Sequence, residues 1–539
     1  MIKLLNSKIN SITVAAVIVA TASLTSRFLG FFRDRILAGE FGADSTLDVY
    51  YAAFRIPDLI FNLLVLGALS AGFIPIFTSL RKSKLFSKDS KEAWHFANSV
   101  VNLLGIALIV ISVILIITAP YLMKLIVPGF DEEQQKLTAE LTRIMFLSPL
   151  FLGLSSVFGG ILQCFKRFFV YSLAPIMYNI GIIVGALYFV PIWGIKGLAY
   201  GVVIGAFFHF IIQVPTAFTL GYRYRFVADY KNKHVIQIMK MMLPRTMSLA
   251  ITQINLVVIT IIASMLAAGS LTIFNFANNF QSFPVGVFGI SFAIAAFPTL
   301  AGLAHNKDIL IKNFSKVLRQ IIFFILPATV LMLTLRAQII RVVLGSGNFD
   351  WTDTILTIDT LTYFCLSLFA QATIPLLVRM FYVRKDSKTP FWVGLFSAAV
   401  NIGLAFVLAR RMGVAGLALA FSISSIINFA LLWLLLKVEY DNLDEVRILI
   451  STVKISIASI GAGIAVQGMK FAIWPIIDMT KFWGVFTQGF VAGSFGIIIF
   501  ILIAWILRSE ELLNFIRSLR ARTKREKVDT GDVGEARGI

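Results

Sequence analysis

An all-α integral membrane protein of about fourteen transmembrane helices is the fold class this sequence predicts. Three observations predict it. Of 539 residues, 58% are hydrophobic and only 14% charged, with mean hydropathy +0.86, which fits a polytopic membrane chain and not a soluble multidomain enzyme. Apolar runs of about 20 residues, the length that crosses a hydrocarbon core, recur along the chain. The net charge of +20 is carried by lysines and arginines in short loops and in the tail. That placement is the pattern of membrane topology, so no nucleic-acid partner is expected.

Taken in order, the expected spans are 10–37, 47–79, 93–120, 137–165, 169–192, 197–219, 236–267, 271–303, 314–344, 354–383, 389–409, 413–437, 447–475 and 483–507. Several exceed a straight crossing and should tilt or kink, with Pro57, Pro75, Pro244, Pro284 and Pro298 as kink candidates. Span 1 begins as a uniformly apolar run, Ile12 to Leu24, and then admits Arg27, Arg33, Asp34 and Arg35 before it ends. Span 2 does the same with Asp48, Arg55 and Asp58. Ionisable groups at membrane depth cost several kcal/mol unless they face a cavity or a partner. Two adjacent spans that present cations therefore point to a polar chamber for an anionic cargo.

Orientation follows from the basic loops. Arg81, Lys82, Lys84, Lys88 and Lys91 follow span 2, while Arg223, Arg225, Lys231 and Lys233 follow span 6. Arg384, Lys385 and Lys388 follow span 10, and the tail adds Arg517, Arg520, Arg522, Lys524, Arg525 and Lys527. The opposite loops carry the acidic stretches Glu40–Asp44 and Asp131–Glu133, and Arg410 and Arg411 are the exception. Both termini are thus expected in the cytoplasm, which requires an even number of spans.

The chain repeats itself. Asn179-Ile180-Gly181-Ile182 and Gly194-Ile195-Lys196-Gly197-Leu198-Ala199 return as Asn401-Ile402-Gly403-Leu404 and Gly413-Val414-Ala415-Gly416-Leu417-Ala418, offset by about 220 residues. This predicts two six-helix lobes, 1–222 and 223–440, in pseudo-twofold repeat with a substrate site between them. Spans 13 and 14 (441–508) stand outside the repeat. The stretch 509–539 reads as a basic tail whose first part, Ser509 to Lys527, has helical amphipathic spacing suited to anionic membrane lipid. Val528 to Ile539 reads as disordered.

Motifs for covalent chemistry are missing. Cys164 and Cys365 are isolated in apolar spans, and the four histidines are scattered. Neither a phosphate-binding Gly-Lys-Ser/Thr loop nor a nucleophile elbow occurs. A transporter without cofactor or metal is expected, not an enzyme.

Several strings carry a family resemblance: Ser26–Asp34 (SRFLGFFRD), Phe41-Gly42-Ala43, Asp48, and Ala53-Phe54-Arg55-Ile56-Pro57-Asp58-Leu59. Gly67-Ala68-Leu69-Ser70, Phe73-Ile74-Pro75, Ala174-Pro175 with Asn179, Phe283–Val287 and Phe381–Pro390 extend it. The chain resembles the MurJ (MviN) lipid II flippases of the MOP exporter superfamily over about residues 10–507. The resemblance implies a flippase for lipid II, the undecaprenyl-diphosphate-linked disaccharide peptide of peptidoglycan synthesis, in the bacterial cytoplasmic membrane. It maps cargo-binding arginines to Arg27, Arg33 and Arg55, with spans 13 and 14 guiding the polyprenyl tail. Arginine suits a diphosphate because its planar fork makes paired, charge-assisted hydrogen bonds and stays protonated.

Asp34 and Asp48 would orient those cations. Arg27 and Asp34 are seven residues apart and share a face of an unbroken helix, whereas Arg33 lies off that stripe. The alternative for Arg33 and Arg35 is snorkelling to the outer interface, and for Arg27 with Asp34 a structural pair. The chain also departs from the family. An arginine and a glutamate common on span 8 are Asn279 and Ser282 here, and a corresponding pair on span 2 is Asn62 and Leu66. Arg245, after Pro244, is a candidate replacement cation, and Asn275, Asn278, Asn279 and Gln281 are candidate head-group contacts or interhelical glue. A flippase for another undecaprenyl-diphosphate-linked glycan and a non-transporting membrane scaffold are the alternative readings.

Overall fold

The structure, a computed structural model, describes residues 12–66, 72–82 and 91–523; the side chains of 12–17, 66, 82, 243–245, 248 and 518–523 are not described. Gly67–Ser70, the loop cations Lys84 and Lys88, and the end of the tail from Lys524 onwards therefore lie outside the described residues.

The order is all helical among the described residues. It runs α1 (Ile12–Phe41), α2 (Ser45–Ala53), α3 (Arg55–Ile60), α4 (Ile74–Lys82), α5 (Lys91–Ile126), α6 (Glu132–Met145), α7 (Leu147–Cys164) and α8 (Phe168–Val184). Then come α9 (Val190–Trp193), α10 (Lys196–Ile211), α11 (Val214–Thr219), α12 (Lys233–Ser264), α13 (Ser270–Pro284), α14 (Ser291–Gly302), α15 (Lys307–Thr334) and α16 (Arg336–Val343). The last are α17 (Trp351–Cys365), α18 (Leu368–Val383), α19 (Lys388–Met412), α20 (Val414–Tyr440), α21 (Glu445–Ile473), α22 (Phe482–Ile506) and α23 (Glu510–Thr523).

Ten continuous helical segments among the described residues are long and apolar enough to cross a membrane, and α17 with α18, meeting at 43°, supply an eleventh. The segments expected at 10–37, 47–79 and 236–267 differ for physical reasons. α1 is a continuous helix that carries its arginines with it. The second is interrupted after Ala53 and widens into a π-helical turn at Phe61–Leu66, just past Pro57. In α12 only Leu249–Ser264 is apolar throughout. Further π-helical turns lie at Gly185–Phe189 and at Val285–Ile290, the latter directly after Pro284, so two of the kink prolines precede a widened turn.

Two compact units share the chain. The first runs up to Asn279 and adds Val343–Tyr363 and Gly394–Ser424. Its core gathers Phe73, Phe77, Phe96 and Phe158 with Val65 and Val157. Glycines bring two of its helical segments into close approach. A Cβ on Gly181 would lie 2.2 Å from the Gly205 Cα, and one on Gly185 2.6 Å from the Gly201 Cα, so α8 and the π-helical turn that continues it touch α10 backbone to backbone through a small-xxx-small stripe. We expect Gly181→Leu to destabilise this pair by roughly 3 kcal/mol or more, seen as loss of a monodisperse peak in detergent chromatography. An unchanged elution profile and melting temperature would contradict the packing.

The repeated strings make matching contacts inside this unit. Asn179 of the first copy accepts from Arg33 on α1 at 3.3 Å, and Asn401 of the second donates to Asn255 on α12 at 2.9 Å. Gly194 and Gly413 both take positive φ, 58° and 59°. Three residues on, Gly197 and Gly416 let the chain close against Phe189 and Leu408.

The second unit holds Phe280–Val342, Phe364–Val393 and the chain from Ser425 on. α21 and α22 pack through small residues, Ala458, Ala462, Ala492, Gly496 and Ala504, with Phe323 and Phe500 closing the cluster. Asp386, inside the Phe381–Pro390 string, accepts from the Lys388 and Thr389 amides at 2.9 and 3.1 Å, beside the first turn of α19. A hydrogen bond from the Thr389 side chain, with the two amides after it, holds its carboxyl below the usual carboxylate range. The tail begins as helix α23, and its start is docked: buried Arg319 of α15 pairs with buried Glu511 and, at 3.1 Å, with Glu510, while Leu512 joins the core.

Candidate functional site

The polar residues of α1 to α3 converge on one cavity of about 240 Å³ in the first unit. Its wall includes Arg33, Tyr51, Arg55, Asp58, Tyr178 and Asn279. Each cation is held in a fixed pose. The Arg33 Nε and Nη2 donate to Asp34 Oδ1 at 3.0 and 2.7 Å, and Nη1 donates to Asn179 Oδ1 at 3.3 Å. Asn279 Nδ2 donates to the other Asp34 oxygen at 2.9 Å. Asp34 is buried and thus satisfied on both oxygens by α1 itself and by α13. Arg33 therefore arrives neutralised.

Arg55 is different. Its Nε donates to Thr260 Oγ1 at 2.7 Å and its Nη2 to Asn275 Oδ1 at 2.9 Å. Both acceptors are neutral and both are aimed. The Thr260 hydroxyl donates to the Leu256 carbonyl at 2.9 Å and the Asn275 amide to the Leu271 carbonyl at 2.6 Å, which leaves their oxygens free to accept. Among the described residues no carboxylate comes within 4 Å of the Arg55 guanidinium, and its Nη1 has no hydrogen-bond partner. The Tyr51 hydroxyl is also buried without a partner. An unneutralised cation and an unused donor on one cavity wall are the groups an anion site would require. Asp58, one turn past Arg55, lines the same cavity and limits its net positive charge.

Other expected residues go elsewhere. Arg27 is exposed and is not part of the cavity wall, although it shares a helix face with buried Asp34. The two differ because seven residues advance about 10 Å along the axis, from a stretch where Leu24 and Phe28 are exposed into the packed part of α1. Asp48 does not orient the arginines. Its buried carboxylate accepts from the Gly269 amide at 2.8 Å and from both the Thr272 amide and hydroxyl at 2.7 Å, so it caps the start of α13. Arg245 lies in α12, but its side chain is outside the described residues. Gln281, a candidate head-group contact, accepts instead from Gln371 at 2.7 Å in the second unit.

The family model for the lipid II flippase MurJ matches residues 37–486, most of the chain and all of α2 to α21. The chain belongs to the MurJ lipid II flippase family. A probable lipid II flippase MurJ of Thermotoga maritima (strain ATCC 43589 / DSM 3109 / JCM 10099 / NBRC 100826 / MSB8) is 28% identical over 495 residues, 91% of this chain and 96% of that protein. One from Buchnera aphidicola subsp. Schizaphis graminum (strain Sg) is 29% identical over 424 residues, 77% of this chain and 81% of that protein. Among solved structures, a lipid II flippase MurJ in an inward closed conformation aligns with TM-score 0.73 at 24% identity, covering 93% of this chain and 99% of that one. An inward-facing multidrug resistance MATE family transporter of the MOP superfamily aligns with TM-score 0.64 at 16% identity, over 78% of this chain and 96% of that one. Those two likenesses establish the fold alone.

Within the family frame, the position where many MurJ sequences carry an arginine on span 8 is Asn279, and it still serves a charge, because it hydrogen-bonds Asp34. Sequence reasoning left out Asp58, Tyr51, Tyr178 and Thr260 as site residues. Asp58 had a signal, its spacing of one helical turn from Arg55. Thr260 had none, since a single threonine in an apolar span is equally suited to interhelical glue.

Proposed function

We propose that this chain is a lipid II flippase that moves its cargo across the bacterial cytoplasmic membrane by alternating access. The observation that carries the reading is Arg55, a membrane-embedded guanidinium held by Thr260 and Asn275 with no carboxylate in ion-pair range among the described residues. Family membership supplies the cargo class. A cavity of about 240 Å³ is smaller than the ~300–1,000 Å³ of ordinary ligand sites, so it suits the diphosphate and not the whole sugar-peptide head. Arg55 and Arg33 take the diphosphate oxygens, Asp34 and Asn279 fix Arg33, and Asp58 keeps the site from becoming a trap. Arg27, about 9 Å along α1 from Arg33, meets the head group before the diphosphate reaches the cavity.

The fourteen-span count, cytoplasmic termini, six-span lobes at 1–222 and 223–440, and a polyprenyl groove at 441–508 belong to the same proposal. The matching contacts of Asn179 and Asn401 support the repeat. The basic face of the tail, from Arg517 onwards, would meet anionic lipid.

The experiment is complementation in cells depleted of their own lipid II flippase. Wild type restores growth, and Arg27→Ala, at equal membrane abundance, restores it several-fold less well. A correctly inserted wild type that fails to rescue in several hosts would turn the reading towards another lipid-linked glycan or a scaffold. Equal rescue by both proteins would remove Arg27 from the cargo path and leave the rest standing.

A further inference from the structure

A second cavity, of about 560 Å³, shares no lining residue with the first. Lys91, Glu92, Trp94, His95 and Asn98 of α5 form one wall, and Arg223 and Arg225 of the segment after α11 form the other. That segment is held extended by two asparagines one turn apart. Asn98 donates to the Arg223 carbonyl at 3.0 Å and accepts from the Arg225 amide at 3.0 Å and the Tyr222 hydroxyl at 2.9 Å. Asn102 donates to the Arg225 and Val227 carbonyls at 2.8 and 3.0 Å and accepts from the Tyr224 hydroxyl at 3.0 Å. In extended chain, alternate residues face alternate sides. Tyr222 and Tyr224 therefore reach α5, while Arg223 and Arg225 line the cavity. This is a built cationic wall and not a loose loop.

Charge accounting singles it out. One carboxylate, Glu92, lies on the cavity wall itself, 3.6 Å from the His234 ring, and Asp229 meets His95 at 3.3 Å. Among the described residues, none of Lys91, Arg223 and Arg225 has a carboxylate within 4 Å. Three cations outnumber the one carboxylate of the lining, so the concavity carries net positive charge that suits an anion. On the same segment Tyr224, Phe226 (74%) and Tyr230 are exposed, and exposed aromatics beside arginines are the composition of a membrane–water interface.

We infer that this cavity binds the phosphate of an anionic phospholipid in the leaflet bathing the basic loops, with Arg223 and Arg225 as the fork and Lys91 as a point charge. The recognised chemistry is a phosphate ester. The exposed aromatics of the same segment mark a membrane interface, and Trp94 of the cavity wall offers apolar surface, which together select a lipid over a soluble phosphate. The site stands apart from cargo transport and is tested by binding alone.

The full chain, delipidated in detergent, is titrated with phosphatidylglycerol or with phosphatidylcholine of the same acyl chains, and bound lipid is counted by native mass spectrometry. We expect one phosphatidylglycerol to bind selectively. R223Q/R225Q weakens it roughly thirtyfold, at about 1 kcal/mol for each cation lost, and Lys91→Gln roughly fivefold. R223K/R225K stays within a few-fold of wild type, and Arg517→Gln in the tail leaves this site unchanged. Lys91→Gln decides the question if R223Q/R225Q does not fold. Equal binding of the two lipids, or wild-type affinity in the folded variants, overturns the inference. So does full displacement of phosphatidylglycerol by millimolar glycerol 3-phosphate, which would assign the cavity to a soluble phosphate.

Discussion

Arg55→Ala is expected to lower lipid II translocation in proteoliposomes by roughly 100-fold or more while the protein still inserts. The guanidinium spends Nε and Nη2 on Thr260 and Asn275 and keeps Nη1 for the cavity, so its charge is delivered without a counter-ion. Hydrogen bonds to a charged group contribute about 1.5–3 kcal/mol each, and a lost diphosphate contact with its charge amounts to about 3–4 kcal/mol, which is the 100- to 1,000-fold range. Arg55→Lys keeps the charge but loses the fork, and an intermediate loss of about tenfold is expected. The order arginine, lysine, alanine separates a cargo contact from interhelical glue. Glue would lower the melting temperature in both variants and leave the transport rate per folded molecule unchanged.

Asp48→Ala should act on stability instead. Three donors at the start of α13, the Gly269 amide and the Thr272 amide and hydroxyl, converge on a carboxylate that is 2% exposed. Removing it strands those donors in a buried place, at a cost of about 3–5 kcal/mol. The turn has no room to rearrange. Gly269 has φ +85°, and a Cβ there would sit 2.0 Å from the Ala43 carbonyl oxygen. Membrane proteins of this size commonly unfold irreversibly, so the readout is the half-life of the folded, monodisperse protein in detergent at fixed temperature. Asp48→Asn keeps an acceptor and should fall between. A half-life for Asp48→Ala equal to wild type would show that the cap does not hold the segment.

The two aspartates singled out beside the arginines thus have unlike roles, and periodicity could not separate them. Asp34 serves Arg33, its immediate neighbour, although successive helix positions do not normally face each other, because a long arginine side chain can fold back when α13 holds the other Asp34 oxygen. Asp48 serves a helix more than 220 residues away in the chain. Arg27 shows what periodicity leaves out. The seven-residue spacing placed it correctly on the Asp34 face, but a helical wheel has no axial coordinate, and the burial of α1 changes along its length.

The sequence by itself determined the class of the protein and where its costly residues lie. Hydropathy marks the apolar spans, the repeat offset pairs Asn179 with Asn401, and the arginines of spans 1 and 2 stand out as charges at membrane depth. These are local properties, because the cost of charge in hydrocarbon and the length of a bilayer crossing are written residue by residue. Only the tertiary structure decided which cation remains unneutralised. That depends on partners such as Thr260, Asn275 and Asn279, which reach Arg55 and Asp34 from more than 200 residues away, and a buried charge is set by what surrounds it, not by its neighbours in the chain.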